Sequence, residues 1–352
     1  MARSIMITGG LGFIGANFAH YWKQQYPNDL ILVFDAITYS GNRANLEPIE
    51  QSEKFYFVKG NICDFDKALA AMREHEVNTI VHFAAESHVD KSISGPDVFV
   101  QTNLVGTHTL LSAAAKYWLS GSGQQHRFHH ISTDEVFGSL GPEAPAFHEL
   151  HQYEPNSPYS ASKAGSDHLV RSYFKTYGLQ VSISNCSNNY GPYQHPEKLI
   201  PKTITNILLG NPIGIYGDGR NVRDWLYVED HCRGVDSILE GGQVGETYNI
   251  GGNSELENIH IVGFLCDELQ SLFEGSDSLS KQFPESPAAQ GKSNRDLITK
   301  VRDRPGHDRR YAINATKIKE KLGFSPIETF ESGMARTISW YLDSENWWRE
   351  LI

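Results

Sequence analysis

The chain has 352 residues, of which 39% are hydrophobic and 21% are charged, a composition typical of a globular protein with one large or two modest domains. Its formal net charge of −11 argues against a nucleic-acid or anionic-membrane surface, because such binding needs broad positive potential. The first apolar run is too short for a secretory signal, and no stretch reaches the roughly 20 apolar residues of a membrane helix.

The cysteines give no sign of a disulfide framework or a metal site. Cys63, Cys186, Cys232 and Cys266 are scattered along the chain, without a Cys-x-x-Cys pair or histidines at zinc-finger spacing. We therefore expect four reduced thiols, no bound metal and a cytoplasmic location.

Short apolar runs alternate with longer helical segments over the first half of the chain. The runs predict strands at residues 4–8, 30–34, 55–59, 79–83, 128–132 and 181–185. The segments between them predict helices at residues 14–26, 65–74, 98–118 and 159–177. Continuous apolar strands are typical of a parallel sheet with helices on both faces. The sequence predicts an α/β fold with a Rossmann-type, doubly wound parallel sheet.

The pattern loosens after about residue 191, with helices predicted at residues 198–209 and 260–273. We interpret this part as a smaller mixed α/β substrate-binding cap region. The predicted division is a dinucleotide-binding domain at 1–190, which carries the catalytic residues, and a substrate-binding region at 191–352. Within the second region, about 222–250 is expected to return to the first domain. The Ser-, Pro- and Gly-rich stretch 274–294 is predicted to be a mobile surface loop.

Three glycines follow the first predicted strand, at Gly9, Gly12 and Gly15. On a strand-to-helix turn they permit a tight turn, a close approach of the backbone to a pyrophosphate and close packing of helix on sheet. Asp35 ends the second strand, 20 residues after Gly15, where a carboxylate binds ribose hydroxyls and repels a 2′-phosphate. NAD is therefore favoured over NADP, with Arg43 as the one residue nearby that favours NADP.

A second constellation has the residue types of an oxidoreductase. Tyr159 and Lys163 are four residues apart on a predicted helix and so share one face; a lysine there, together with a positive nicotinamide ring, should lower the pKa of the phenol. Thr133 ends the fifth strand and is followed by Asp134 and Glu135. Two adjacent carboxyl groups in unequal environments can serve as a general acid and a general base.

The glycine spacing, the Tyr-x-x-x-Lys pair and the segment His82-Phe83-Ala84-Ala85 resemble the extended short-chain dehydrogenases/reductases. One departure is Asn61, where the family usually has Asp; we expect slightly weaker cofactor binding from this neutral acceptor. The resemblance implies a cofactor site made of Gly9, Gly12, Phe13, Ile14, Gly15, Asp35, Ala36, Thr38, Asn61, Ile62, Ala84, Ala85, Ser87, Thr102, Tyr159, Lys163 and Asn189.

The triplet Thr133-Asp134-Glu135, with blocks such as Asn185–Pro192 and Asp303–Asp308, resembles the 4,6-dehydratases that act on dTDP-glucose. This resemblance implies a tightly bound NAD that is regenerated each turnover, a nucleotide-sugar substrate and a homodimer formed by helices 98–118 and 159–177. It implies catalytic roles for Thr133, Asp134, Glu135, Tyr159 and Lys163. The implied substrate contacts are Ser87, His88, Thr133, Asn188, Lys198, Leu199, Tyr216, Arg223, Asn258, Arg304 and His307.

Other readings of the sequence stay open. The same scaffold serves UDP-glucose 4,6-dehydratases and nucleotide-sugar 4-epimerases, and a remote alternative is a non-catalytic NAD-binding protein. The epimerases lack the carboxyl pair that follows Thr133. We interpret His126, His129 and His130 as structural, and the pair Trp347 and Trp348 as packing anchors.

Overall fold

A computed structural model describes residues 2–352. Its strands are β1 (Ser4–Thr8), β2 (Leu30–Asp35), β3 (Phe55–Lys59), β4 (Thr79–His82), β5 (Arg127–Thr133), β6 (Val181–Cys186), β7 (Asn188–Tyr190), β8 (Ile213–Tyr216), β9 (Val222–Tyr227), β10 (Thr247–Ile250), β11 (Glu255–Glu257) and β12 (Ile298–Val301). Its α-helices are α1 (Phe13–Gln25), α2 (Glu47–Glu50), α3 (Phe65–Glu74), α4 (Val89–Ser94), α5 (Asp97–Phe99), α6 (Thr107–Tyr117), α7 (Pro158–Tyr177), α8 (Leu199–Leu208), α9 (Val228–Gly241), α10 (Asn258–Glu274), α11 (Asp277–Gln282), α12 (Thr316–Leu322), α13 (Phe330–Asp343) and α14 (Glu345–Arg349).

Seven strands form one sheet in the order β10-β6-β5-β4-β1-β2-β3, and all neighbouring pairs are parallel. The predicted Rossmann-type fold is confirmed. The strand order reverses between β1 and β4, and an open parallel sheet binds its ligands beyond the carboxyl ends of the strands at such a point. The glycine turn follows β1, so this crevice is where a site is expected.

Apolar side chains cover both faces of the sheet. On one face α1 contributes Phe18 and Trp22, which pack with α9; on the other, α3, α6 and α7 surround Trp118 and Phe128. A third apolar cluster lies in the later part of the chain and includes Trp225. Because the strands are buried on both sides, their sequences are continuous apolar runs rather than alternating ones.

The segment 222–250 divides between two places. Helix α9 packs on α1, and β10 pairs with β6 at the edge of the large sheet, whereas β9 joins β7 and β11 in a separate three-stranded sheet. The boundary between 1–190 and 191–352 stays a prediction.

The prediction of a mobile surface loop at 274–294 is wrong in its local structure. Ser276 caps α11 by accepting a hydrogen bond from the amide of Leu279. Phe283 is fully buried in the third cluster and Asn294 is 1% exposed. The Ser, Pro and Gly residues of this stretch therefore serve as caps and turns around buried anchors, which composition alone does not reveal.

Residues 97–122 form one helical run whose hydrogen bonding is not uniform. The stretches Val100–Gly106 and Trp118–Ser122 are π-helical and flank α6. A π-helical turn contains an extra residue relative to the α-helix and occurs often at functional sites. Thr102, in the first stretch, lines the cavity described below.

Within residues 2–352, none of the helices combines the length and the hydropathy needed to cross a bilayer.

Candidate active site

The turn after β1 is built from glycine because there is no room for side chains. Gly9 has φ of +69°, and a Cβ there would lie 2.6 Å from the amide nitrogen of Ala84; a Cβ on Gly15 would lie 2.3 Å from the carbonyl oxygen of Gly9. Gly12 is the N-cap of α1, with no side-chain cap and no acidic residue in the first turn. The first amides of α1 are therefore free to bind an anion such as a pyrophosphate.

Asp35 fixes the turn and faces the same crevice. Its two carboxylate oxygens accept hydrogen bonds from the amides of Leu11 (2.9 Å) and Ile37 (2.8 Å), and lone pairs remain for ribose hydroxyls. Arg43, the residue that favoured NADP, does not line the crevice; its guanidinium pairs with Glu50 and lies over the ring of Phe57. This arrangement fits NAD better than NADP.

A cavity of ≈ 330 Å³ extends along the carboxyl edge of the sheet from this turn to the end of β5. All the predicted cofactor residues line it: Gly9, Gly12, Phe13, Ile14, Gly15, Asp35, Ala36, Thr38, Asn61, Ile62, Ala84, Ala85, Ser87, Thr102, Tyr159, Lys163 and Asn189. The glycine turn and Asp35, both in its lining, fit a dinucleotide. Asn61 already accepts a hydrogen bond from the amide of Cys63 at 2.9 Å, so one lone pair of its amide oxygen is in use.

Tyr159 and Lys163 lie in the first turns of α7, after a capping box between Ser157 and Ser160. Both side chains are buried, and Lys163 Nζ donates a hydrogen bond to the carbonyl of Ile131 at 2.8 Å. Burial lowers the pKa of Lys163 to about 8. The expected lowering of the phenol pKa is not found in the protein alone, since burial and then the charge of Glu135 raise the pKa of Tyr159 well above 10.0.

Thr133, Asp134 and Glu135 lie at the carboxyl end of β5, where the chain enters a 3₁₀ turn. Thr133 Oγ1 accepts a hydrogen bond from the Glu135 amide at 3.3 Å and donates one to Asp134 Oδ1 at 3.4 Å. Asp134 is 1% exposed, and its Oδ2 has no hydrogen-bond partner. Both carboxyl groups and the phenol of Tyr159 border the cavity.

The two carboxyl groups have unequal surroundings. Burial and the neighbouring Glu135 raise the pKa of Asp134 well above its usual value, which favours a protonated acid. Burial also raises the pKa of Glu135, but the positive charges of Arg223 and Arg304 oppose this shift. Asp134 is therefore suited to act as the general acid and Glu135 as the general base.

The protonation of Asp134 predicts a pH-dependent gain in stability on neutralisation. A carboxyl with a raised folded-state pKa destabilises the fold progressively as pH rises from its unfolded-state pKa through its folded-state pKa. The variant Asp134→Asn should therefore have a larger free energy of unfolding than the wild type at pH ~8, with the gain shrinking toward pH ~4. Urea titrations across this range measure the difference.

Asp343→Asn, an exposed substitution at the end of α13, is the control and should change the free energy of unfolding by less than about 0.5 kcal/mol. A gain for Asp134→Asn that does not depend on pH would contradict the assignment of a raised pKa.

Among the predicted substrate contacts, Ser87, Thr133, Asn188 and Lys198 line the cavity itself. Lys198 Nζ donates to the carbonyl of Ser87 at 3.2 Å, and burial lowers its pKa. Asn188 Oδ1 and Asn258 Oδ1 are buried without hydrogen-bond partners, so each has an acceptor free for a ligand. Leu199 begins α8, whose first turn has no side-chain cap.

Arg223 is 5% exposed and lies over the ring of Tyr311, 4.2 Å from its centroid. Its guanidinium donates to the carbonyl oxygens of Val222 and Asp308 and has no carboxylate partner among the described residues. A buried cation without a paired anion is costly. The geometry thus makes Arg223 available to a phosphate or to the carboxylate of Glu135.

Four other predicted contacts are engaged with protein groups. Arg304 pairs with Asp90 at 3.0 Å, and Tyr216 donates to the same carboxylate at 3.1 Å. His307 bonds Asp303 at 2.7 Å. His88 caps α4 and lies 3.5 Å from Glu197. These side chains are not part of the cavity lining. The sequence did not predict their acidic partners, because residue spacing does not show which carboxylates lie near them in the fold.

Sequence reasoning missed a polar bridge at the mouth of the cavity. Tyr39 donates to Glu197 at 3.0 Å, Lys91 donates to the same carboxylate at 3.0 Å, and the Lys91 ammonium lies 3.4 Å from the centroid of the Tyr39 ring. The bridge joins the loop after β2 to the segment before α8. Tyr39 and Glu197 lie 158 positions apart in the chain, and no local sequence pattern links them.

The three histidines that were interpreted as structural have different surroundings, and their role stays a prediction. His129 bonds Ser182 and Ser184 within the sheet, and His126 stacks on Trp118, so these two histidines do have structural contacts. His130 Nε2, however, lies 3.4 Å from Lys163 Nζ and 3.2 Å from the buried Asp167. A side chain of β5 thus connects the lysine of the site to a buried carboxylate behind it.

The parallel sheet, its glycine turn and the Tyr159–Lys163 pair beside Thr133 define the class of extended short-chain dehydrogenases/reductases. Residues 6–337 match the family described as GDP-mannose 4,6 dehydratase. The chain is 47% identical to the dTDP-glucose 4,6-dehydratase of Neisseria meningitidis serogroup B, over 99% of this chain and 96% of the relative. It belongs to this family, and within it to the dTDP-glucose 4,6-dehydratases.

Solved structures agree. DesIV, a dTDP-glucose 4,6-dehydratase from Streptomyces venezuelae crystallised with NAD, is 45% identical and superimposes with a TM-score of 0.88, over 99% of this chain and 100% of that one. The UDP-glucose 4-epimerase of Thermotoga maritima, at 24% identity and a TM-score of 0.82 over 97% of this chain and 100% of that one, shares the fold alone.

Proposed function

We propose that this enzyme converts dTDP-glucose to dTDP-4-keto-6-deoxyglucose and water. The observation that carries the proposal is the carboxyl pair Asp134 and Glu135, held beside Tyr159 at one end of the cavity in the unequal electrostatic surroundings described above. Oxidation alone, as in an epimerase, needs no such pair. Elimination of water needs both a base and an acid.

NAD, the cofactor of this site, supplies a hydride acceptor for the C4 oxidation and a hydride donor for the later reduction at C6. Tyr159 removes the proton of the C4 hydroxyl, and Thr133 holds the reacting oxygen. Lys163 lies one helical turn after Tyr159 on α7 and orients the phenol from the same face of the helix. The positive nicotinamide ring would oppose the raised phenol pKa, because a nearby cation favours the phenolate.

The 4-ketone acidifies the C5–H bond. Glu135 then removes the C5 proton while Asp134 donates its proton to the C6 hydroxyl, which leaves as water. After reduction at C6, Glu135 returns a proton to C5. Tyr159 then releases the C4 proton to solvent and Asp134 takes one up, so both side chains and the cofactor end each turnover in their starting states. We therefore expect the cofactor to stay bound to the protein throughout.

The direct test is to incubate the purified protein with dTDP-glucose, and separately with UDP-glucose, without added NAD. Loss of one water from the thymidine compound alone, measured by mass spectrometry, would support the activity, the nucleotide and a retained cofactor together. Loss from the uridine compound would favour a UDP-glucose 4,6-dehydratase. Conversion without a mass change would favour an epimerase, and no conversion by NAD-containing protein a non-catalytic role.

The cofactor assignment predicts that Gly15→Ala loses NAD. The new Cβ would overlap the Gly9 carbonyl oxygen, which forces α1 away from the turn, although alanine has the better helix propensity. A displacement of this kind costs about 1–3 kcal/mol, or roughly 5- to 150-fold in NAD affinity. NAD released from denatured, desalted protein measures retention.

Gly141→Ala is the matched control, because a Cβ at Gly141 has no atom within 4 Å; it should retain NAD like the wild type. Equal retention in Gly15→Ala would argue against a pyrophosphate at this turn.

The protein should be a homodimer through the helical run 97–122 and α7. These segments pack on each other, and they leave apolar side chains exposed, among them Val98, Val105 and Tyr177. Val98 lies in α5 and Val105 in the π-helical stretch that follows it, so both belong to the same helical run. Val105→Asp should shift the protein to a monomer, measured by analytical ultracentrifugation; an unchanged dimer would exclude this face.

A cytoplasmic location fits a nucleotide-sugar enzyme with unpaired thiols. Cys63, Cys186, Cys232 and Cys266 are free in the structure, and burial raises the pKa of Cys186, which lines the cavity, to about 12. Fractionation of cells that produce the protein tests the assignment, and recovery from the periplasmic or secreted fraction would contradict it.

A further inference from the structure

Asn45 is a buried amide that joins three distant parts of the chain. It lies in the 3₁₀ turn Arg43–Leu46 after β2 and is 1% exposed. Its Nδ2 donates to the carbonyl oxygen of Leu11 at 2.8 Å, and its Oδ1 accepts from the indole Nε1 of Trp347 at 2.8 Å. Its own carbonyl oxygen lies 2.7 Å from His20 Nε2, which must be the donor.

Leu11 belongs to the glycine turn, and both its backbone amide and its backbone carbonyl are hydrogen-bonded. Its amide donates to Asp35, as described above, and its carbonyl oxygen accepts from Asn45 Nδ2 and from the amide of Asn42 at 3.0 Å. The next residue, Gly12, is the N-cap of α1. The orientation of the Leu11 carbonyl thus sets the peptide plane that leads into the anion-binding end of α1.

Trp347 reaches this turn from α14. Its ring packs against Trp340 and Tyr193 at centroid distances of 4.9 and 6.0 Å, while its N–H points to Asn45, 302 residues earlier in the chain. The neighbouring Trp348 is fully buried in the third apolar cluster and donates instead to the carbonyl of Tyr341 at 2.8 Å. Two adjacent indoles therefore make chemically equivalent bonds, one toward the glycine turn and one within α13 and α14.

We propose that Trp347 is a positioning residue for the cofactor site: through Asn45 it holds the Leu11 carbonyl, and thereby keeps the first turn of α1 in the conformation that binds the pyrophosphate. The proposal rests on the assignment of NAD to this cavity. Without the indole donor, the Asn45 amide has a buried oxygen with no partner and can rotate toward another donor, which leaves the Leu11 carbonyl with one hydrogen bond, from the amide of Asn42, instead of two. Helix α14 then controls how long the cofactor stays bound, although it lies outside the cavity lining.

The test compares Trp347→Phe with Trp348→Phe in the purified enzyme. Each removes one indole donor and keeps an aromatic ring. The first readout is the rate at which bound NAD exchanges with isotopically labelled NAD, followed by mass spectrometry. We expect about tenfold faster exchange in Trp347→Phe, since a buried hydrogen-bonding group left without its partner costs about 1–3 kcal/mol, and a change under twofold in Trp348→Phe, which should instead lower the Tm.

A second readout does not depend on NAD. Hydrogen–deuterium exchange of the peptide that contains residues 9–16 should be faster in Trp347→Phe and unchanged in Trp348→Phe. Equal effects of the two variants on this peptide, or none in Trp347→Phe, would overturn the proposal. If the wild type holds no NAD, the cofactor assignment fails separately, and the amide exchange still decides whether Trp347 positions the turn.

Discussion

Glu135→Gln should stop the reaction after its first step. Glutamine keeps the size of the side chain but cannot accept the C5 proton, so the release of dehydrated product should fall by about 10²–10⁴-fold. The C4 oxidation does not need this carboxylate. Enzyme mixed with dTDP-glucose should therefore accumulate the absorbance of reduced nicotinamide, and exchange of the C5 proton with deuterated solvent should be lost.

Glu143→Gln, an exposed substitution in the loop between β5 and α7, should behave like the wild type in all three measurements. If Glu135→Gln still releases the dehydrated sugar at the wild-type rate, Glu135 is not the base. If it converts substrate to an isomer of unchanged mass, the site performs epimerisation and the proposed function is wrong.

Tyr159→Phe should block the reaction before oxidation. Without the phenol oxygen no group is placed to take the C4 proton, so the oxidation rate should fall by about 10²–10⁴-fold, and no reduced nicotinamide should accumulate. NAD should remain bound, because the turn that carries it is untouched. Rapid-mixing absorbance measures the oxidation, and mass spectrometry measures the retained cofactor.

The control is Tyr56→Phe in β3, where the side chain is 44% exposed and lies outside both the cavity lining and the proposed dimer face; it should leave the rate unchanged. Fast oxidation by Tyr159→Phe would mean that another group in the cavity lining, such as Thr133, removes the proton.

The two variants are also linked through the pKa of Tyr159. The charge of Glu135 is one cause of the raised phenol pKa, so its removal in Glu135→Gln should lower that pKa. Because the phenolate is the active form, the rise of the oxidation rate with pH should then occur at lower pH than in the wild type. A stopped-flow pH series on the oxidation step measures this shift.

The sequence predicted most of the large sheet and the lining of the cavity. Its continuous apolar strands, and the glycine turn followed by Asp35, are local signals, each set by requirements of the backbone itself. The position of Thr133, Asp134 and Glu135 followed from the end of β5 in the same way. The hydrogen bonds and ion pairs of these groups could not be predicted from the sequence, because they depend on contacts between residues far apart in the chain.

Three details illustrate that limit. The raised pKa of Tyr159 arises from burial and from Glu135, neither of which the spacing to Lys163 reveals. Arg304 was predicted to bind substrate, yet Asp90, 214 positions away, pairs with it in the structure. Trp347 was predicted only to pack, yet its N–H has a specific acceptor at Asn45. A sequence pattern identifies residues that are capable of a given chemistry. The contacts of the folded chain determine which partners those residues have.

The π-helical stretch Val100–Gly106 has a consequence for how this enzyme can vary. It contains one residue more than a regular helix would, and shortening it by one residue would restore regular helical bonding. An extra residue held in a π-helical turn leaves the flanking turns in phase, whereas a deletion from a regular α-helix rotates one side by about 100° relative to the other. A deletion here would therefore keep α6 in its contacts with α3 and α7 and would alter mainly the cavity wall at Thr102. We expect natural or designed relatives that lack one residue in this segment to keep the fold and to differ in that wall.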